Sequence, residues 1–218
     1  MEAPAGERRS LEEHGFAVLR GCLDSATCTL MCAAVDRLVL PENLPPGETF
    51  FDNKDQVRGA GDGSPLTTFG DHQRRLSNLQ RRDELFHQLI DHPRVLPHLR
   101  EYMHEPRLAG DWHIRKECGP RSSWWHRGTG VEGWRVDPED GRCRSKHLNV
   151  AWLLDDQSAG EGCLLVLPGS HLLDFEGETF NQLSVDHPGL ALEGSIEVEG
   201  KAGDAVIFVR SFTPLACG

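Results

Sequence analysis

His126 is the residue whose neighbours most strongly suggest chemistry. It lies in SSWWHRGTG, residues 122–130, behind two tryptophans and ahead of arginine and glycine. A non-haem iron(II) site uses two histidines and one carboxylate on a single face. Residues i and i+2 of a strand point to the same side, so His-x-Asp or His-x-Glu supplies two of those ligands. No histidine of this sequence has an acid two residues downstream, and Gly128 occupies that position after His126. By itself, the motif leaves His126 as either a metal ligand or a hydrogen-bonded structural residue.

The composition limits the classes of partner. The chain has 218 residues, enough for one sizeable core, and its formal net charge of -11 disfavours a polyanion such as nucleic acid. No apolar run is long enough to cross a bilayer, and residues 1–10 lack the apolar segment of a secretory signal. Seven cysteines without a C-x-x-C pair favour a reducing compartment over a disulfide framework. We expect a cytoplasmic protein that acts on a small-molecule substrate and binds neither nucleic acid nor membrane; its oligomeric state stays open.

Helical patterns come first along the chain. After the β-like run FAVLRG, a helix capped by Asp24 or Ser25 is expected, and Pro41 would end it. The glycine- and proline-rich stretch 41–69 has the length of a functional lid. A second helical region is predicted from about 76 to 103, interrupted near its two prolines, with Pro93 in the first turn of a new helix.

Strand patterns follow. Five short β-rich runs are separated by glycine, proline and acidic turns: RLAGDWHIRKEC, KHLNVAWLLDD, GCLLVLPGSH, GSIEVEG and GDAVIFVRSF. Helices followed by strands predict an α+β fold with a sheet sandwich or jelly roll. We expect one domain over 1–218, helical to about residue 105 and β-rich from about 106.

Several of these runs resemble, in order and separation, the phytanoyl-CoA dioxygenase family of iron(II)/2-oxoglutarate oxygenases. The matching runs are EEHGFAVLRGCLD, NVAWLLDD followed by GEGCLLVLPGSH, and KAGDAVIF. They cover most of the chain, from about Leu11 to Phe208. The resemblance implies a double-stranded β-helix, a cupin-like jelly roll, with the N-terminal helices packed on it and its last core strands missing.

The resemblance also implies roles for particular residues. His126 takes the place of the first iron-binding histidine. Trp152 matches a tryptophan beside the 2-oxoglutarate pocket, although a core aromatic in a buried strand fits the same position. Lys116, or its neighbour Arg115, could meet a carboxylate of the cosubstrate or substrate. His171 belongs to the scaffold loop that follows the GCLLVLP strand. The implied cofactors are Fe(II) and 2-oxoglutarate, and the implied reaction is hydroxylation of a small or lipid-like substrate.

Two departures from the family pattern leave alternatives open. Gly128 stands where the family has its carboxylate ligand, and in iron/2-oxoglutarate halogenases such a vacancy admits chloride. No histidine follows His187, and Arg210 is the only late arginine, so the expected distal histidine and 2-oxoglutarate clamp are not in the sequence. A truncated or fragmentary enzyme, a degenerate non-catalytic family member and a halogenase are the resulting hypotheses. With its neighbour missing, the GDAVIF strand is expected to leave an unpaired sheet edge.

Overall fold

The computed structural model of the chain describes residues 3–40, 51–52, 73–116, 134–161, 163–172 and 193–209. These residues form the α-helices α1 Ala5–His14, α2 Ser25–Leu38, α3 Leu79–Arg82 and α4 Leu96–Tyr102. They also form the strands β1 Phe16–Leu19, β2 Phe51–Asp52, β3 Gln73–Ser77, β4 Trp112–Lys116, β5 Trp134–Val136, β6 Cys143–Ser145, β7 Leu148–Trp152, β8 Leu164–Val166, β9 Ile196–Val198 and β10 Ala205–Val209. The strands pair antiparallel as β1–β10–β7, β2–β3–β4, β5–β6 and β8–β9. The combination of helices and antiparallel sheets confirms the α+β class.

Strand β10 is the middle strand of the sheet β1–β10–β7. Its residues 205–208 pair with β1, and its residues 205–209 pair with β7. All five residues of β10 are buried. The expectation of an unpaired edge on this strand is therefore wrong, because β1 comes from the N-terminal part of the chain and covers it.

The two faces of this sheet contact different layers. The helix face packs on side chains around α1 and α4 and consists of Ala17, Leu19, Leu148, Val150, Trp152, Ala205, Ile207 and Val209. The opposite face, here called the sheet face, packs on β8 and β9 and consists of Phe16, Val18, Ala151, Leu153, Val206 and Phe208. This division follows from the alternation of side chains along each strand.

Helix α2 follows the predicted pattern at its start. The carboxylate of Asp24 accepts a hydrogen bond of 2.7 Å from the backbone N–H of Thr27, so Asp24 is the cap. The buried side chains of the helix recur at helical spacing: Cys28, Met31, Ala34, Val35 and Leu38. They form a second core cluster with Leu76, Leu79 and Phe86.

The second helical region is more interrupted than predicted. Its first residues belong to β3, which pairs with β4, and a 3-10 helix at Glu84–Leu89 separates α3 from α4. Pro97, rather than Pro93, lies in the first turn of α4. The letters QRRLS contain one apolar residue, so no alternation marked them as a strand. The β5–β6 hairpin was also missed, because its strands WRV and CRS have only three residues each, too few to show an alternating pattern.

None of the helices in the described part of the chain has the length and apolar character that a bilayer crossing requires.

The buried side chain of His98 links α4 to α1 through Glu7. His98 has 0% of its side chain exposed, and its Nε2 donates a 2.9 Å hydrogen bond to Glu7. The other carboxylate oxygen of Glu7 accepts from Arg94 at 3.0 Å. The Nδ1 atom of His98 has no hydrogen-bond partner in the described structure. Burial lowers the pKa of His98, while the hydrogen bond that His98 donates to Glu7 acts in the opposite direction. The folded state therefore favours the neutral imidazole.

We predict that mild acid destabilises the fold partly through His98. The unfolded chain binds a proton as the pH falls below about 6.5, whereas the folded histidine resists protonation, so stability is lost in that range. Each such histidine contributes at most about 1.4 kcal/mol per pH unit. The His98→Gln variant should lose less unfolding free energy between pH 7.5 and 5.5 than the wild type, as measured by urea denaturation. His87→Gln, at an exposed position, is the matched control. An unchanged pH dependence in His98→Gln would contradict the prediction.

Candidate functional site

Asn149 is the polar residue on the sheet face of β7. It alternates with Ala151 and Leu153, which pack toward β8 and β9, and it lies opposite Phe208 in the register with β10. Its Oδ1 atom is 3.3 Å from Nε2 of His147. A side-chain amide among apolar neighbours is an orienting group typical of small-molecule pockets. The sequence reasoning missed Asn149, although its two-residue spacing from Ala151 within NVAWLL was a readable signal.

Trp152 lies on the helix face of the same strand. It packs against the core cluster around α2 and against the residues of the helix face around α1 and α4. Its ring meets the ring of His92 edge-on, with ring centroids 5.1 Å apart. Burial lowers the pKa of His92, which favours the neutral ring at this contact. Trp152 was expected either beside the 2-oxoglutarate pocket or in the core, and these contacts are typical of a core aromatic residue. It does not share a face with Asn149.

Lys116 is the last residue of β4 and pairs with Gln73 of β3; Arg115 pairs with Arg74. The chain then continues into 117–133, which contains His126 and Gly128 and lies outside the described residues. Of the lid expected at 41–69, only the short strand β2 lies within the described residues. Arg210 also lies outside them. Within the described ranges, no group of three His, Cys, Asp or Glu side chains could hold a metal ion.

His171 has the scaffold role expected of it. It is buried in the 3-10 helix Ser170–Leu172, and its Nε2 donates a 3.0 Å hydrogen bond to the carbonyl of Glu12 in α1. Its ring meets Trp134 edge-on at 5.5 Å, and a side chain on Gly15 would collide with the imidazole. The loop after β8 is therefore anchored to the end of α1.

A model of the phytanoyl-CoA dioxygenase family matches residues 11–211. The chain belongs to this family. The match spans the described sheet from β1 to β10 and includes every motif on which the resemblance was based. No curated protein sequence is significantly similar to the chain.

Several solved structures share the fold. HygX from Streptomyces hygroscopicus, with nickel and 2-oxoglutarate bound, is 17% identical, and the match covers 99% of this chain and 82% of HygX at a TM-score of 0.68. AviO1 from Streptomyces viridochromogenes is 21% identical, with 100% and 89% coverage and a TM-score of 0.63. The non-heme alpha ketoglutarate dependent carbocyclase SnoK from nogalamycin biosynthesis is 20% identical, with 99% and 78% coverage and a TM-score of 0.64. At these identities, the likeness establishes a common fold.

The family motifs FAVLRG and GDAVIF meet at one corner of the β1–β10–β7 sheet. Asp204, with 4% of its side chain exposed, accepts hydrogen bonds from Arg20 at 2.6 Å, from the Gly21 N–H at 2.8 Å and from the Lys201 N–H at 2.9 Å. Burial acts to raise the pKa of Asp204, but these hydrogen bonds and the Arg20 charge outweigh it, so the pKa is lowered. The corner therefore contains a stable buried carboxylate.

Gly203 allows the two motifs to approach closely. Its φ is +94°, in the left-handed region, and its carbonyl accepts a 2.9 Å hydrogen bond from Leu23. A Cβ atom at this position would collide with the backbone carbonyl of Leu23. Glycine is therefore required both by the backbone angle and by the packing.

We predict that Gly203→Ala destabilises the fold more than Gly160→Ala. Gly160 also has a positive φ, +81°, but a Cβ there would meet open space. Gly160→Ala should cost about 1–2 kcal/mol from backbone strain. Gly203→Ala should cost about 1–3 kcal/mol more, because the corner is overpacked as well. Urea denaturation of both variants measures the difference, and equal losses would show that the Leu23 contact is unimportant.

Proposed function

We propose that this chain is an iron(II)- and 2-oxoglutarate-dependent oxygenase that hydroxylates a carbon of a small or lipid-like molecule. The observation that carries the proposal is the family match over residues 11–211. Structures with the same fold support it: HygX has been crystallised with iron, and also with nickel and 2-oxoglutarate. HygX has also been crystallised with hygromycin B, and SnoN with nogalamycin RO, so proteins of this fold bind small organic molecules.

In this proposal, the sheets β1–β10–β7 and β8–β9 are facing layers of a double-stranded β-helix within one domain over 1–218. Their apolar packing through Val206, Phe208, Leu164 and Val198 supports it. The cosubstrate would bind at the end of the sheet face where Asn149 lies. This end is also where β10 finishes at Val209, opposite Leu148.

The chain's own groups have separate roles in the proposal. Asn149 donates from its amide to a carboxylate of 2-oxoglutarate, and its apolar neighbours strengthen that hydrogen bond by excluding water. Lys116 neutralises a carboxylate of the cosubstrate or substrate, and His126 is an iron ligand. Trp152 supports β7 from the helix face in this proposal, and its alternative role beside the 2-oxoglutarate pocket is an outcome of the second prediction below. When bound, iron(II) and 2-oxoglutarate supply dioxygen activation coupled to the formation of succinate and carbon dioxide.

Gly128 favours a second candidate function. Glycine has no side-chain oxygen, so it cannot complete the two-histidine, one-carboxylate set at that position. A halide ligand could take the place of the carboxylate, and halogen rather than hydroxyl would then be transferred to the substrate carbon. The relatives SnoK and SnoN, described as a carbocyclase and an epimerase, show that proteins of this fold are not limited to hydroxylation.

The first functional prediction concerns iron. Anaerobic addition of Fe(II) and 2-oxoglutarate to the 218-residue chain should give stoichiometric iron binding and a metal-to-ligand charge-transfer band. His126→Ala should weaken iron binding at least tenfold, because a ligand is lost, whereas His87→Ala should leave it unchanged. A band that shifts with chloride supports the halogenase candidate, and a band insensitive to chloride supports hydroxylation. Absence of iron binding, or of succinate release in air, supports a non-catalytic family member instead.

The second functional prediction separates the two faces of β7. Asn149→Leu should weaken 2-oxoglutarate binding about tenfold or more, because a hydrogen bond to a charged group contributes about 1.5–3 kcal/mol. Trp152→Phe should lower the thermal stability through lost packing but leave 2-oxoglutarate affinity nearly unchanged. Titration of the charge-transfer band and thermal unfolding measure the two quantities. Equal affinity losses in both variants would instead place Trp152 at the pocket.

A further inference from the structure

A polar cleft of about 420 Å³ lies between the C-terminal end of α4 and the β5–β6 hairpin. The mechanism proposed above does not use it. The basic and acidic residues of its lining are Arg135, Arg144, Lys146, His104, Glu105 and Asp137. The cleft therefore gathers three permanent cations against two acids, in a chain whose formal net charge is -11.

The acids at the cleft already have other contacts. Glu105 pairs with Arg107 at 3.2 Å, and Asp137 accepts a 3.0 Å hydrogen bond from the backbone N–H of Glu139. Arg144 donates to Asp140 at 2.6 Å, and 30% of its side chain is exposed. The side chain of Arg135 forms no ion pair or hydrogen bond with any other residue in the described ranges.

The two arginines are cross-strand partners. Arg135 lies directly opposite Arg144 in the β5–β6 register, so both side chains emerge from the same face of the hairpin. Like charges in this position repel and destabilise a hairpin unless a counter-charge lies between them. Asp140 supplies one negative charge beside Arg144, and within the described part of the chain no acid pairs with Arg135. The guanidinium fork matches the oxygen atoms of a carboxylate or phosphate, which an ammonium group does not do as well.

The cleft lies close along the chain to the proposed cosubstrate end of the sheet. Lys146, which lines the cleft, is three residues before Asn149, so at most roughly 10 Å of chain separates the two residues. The hairpin packs on the helix face through Trp134 and Cys143, so a ligand held there would have to pass the end of β7 to reach Asn149 on the sheet face.

We propose that this cleft binds an anionic group, a carboxylate or a phosphate, of the molecule on which the protein acts. Arg135 is its principal ligand, Arg144 its second cation, and the link to turnover rests on the function proposed above. The substrate class is thus an organic acid or a phosphorylated compound.

The test measures anion binding without iron or 2-oxoglutarate. Isothermal titration with inorganic phosphate and, separately, with acetate, at constant ionic strength set by chloride, should show saturable binding of at least one. The anion that binds more tightly identifies the group. Arg135→Gln should weaken this binding tenfold or more, Arg144→Gln should weaken it less, and Lys201→Gln should leave it unchanged. Lys201 is a suitable control because it pairs with Asp156 near the opposite end of β10.

The outcomes distinguish this inference from the proposed function. Absence of saturable binding, or equal binding by Arg135→Gln and Lys201→Gln, overturns the inference while the iron and 2-oxoglutarate measurements stand on their own. Anion binding that depends on Arg135 supports the cleft as an anion site even if the protein does not bind iron. In that case the assignment of the anion to the substrate is wrong. Arg135 is exposed, so its replacement should preserve the fold. Arg135→Lys keeps the charge but loses the fork, so partial binding by this variant supports a guanidinium contact.

Discussion

The burial of β10 between β1 and β7 is the constraint on which the rest of the described structure depends. Both edges of this strand are paired and both of its faces are covered, so its backbone groups are hydrogen-bonded and its side chains touch two layers. Burying four large side chains, Val206 to Val209, contributes roughly 6–12 kcal/mol at about 1.5–3 kcal/mol each. This is comparable to the net stability of a whole domain, about 5–15 kcal/mol. The helical layer and the β8–β9 layer are thus joined through one strand.

The alternation along β7 divides structural from chemical residues. Trp152 faces the helices and Asn149 faces β8 and β9, and a slip of one residue in the register would exchange them. Hydrogen bonds at the corner prevent that slip: Leu153 donates to the Asp204 carbonyl at 2.9 Å, and Gly203 donates to the Leu153 carbonyl at 2.8 Å. The family motif around Gly203 therefore determines which side chains of β7 face the proposed pocket.

Sequence patterns predicted the apolar and capped elements well and the polar ones poorly. The five β-rich runs contain strands, and Asp24 caps α2, because apolar runs and cap residues carry local signals. The strand β3 was missed because QRRLS is mostly polar and depends on pairing with β4, which is a long-range interaction. Periodicity also indicated that Asn149 and Ala151 share a face, but only tertiary packing shows that this face meets β8 and β9. The roles of His126 and Lys116 came from family resemblance, because neither residue type nor spacing singles them out locally.

The pairing of β1 with β10 also affects how the protein is made. Strand β1 is synthesised early, but its pairing partner β10 is synthesised much later; Leu19, for example, pairs with Ala205. At ribosomal rates of about 5–20 residues per second, that interval is on the order of 10–40 seconds. During this time, β1 carries apolar side chains and unpaired backbone groups that another nascent chain could bind. Slower translation would lengthen this exposure. Chaperones that bind roughly the first 20 residues would reduce binding by other nascent chains during it.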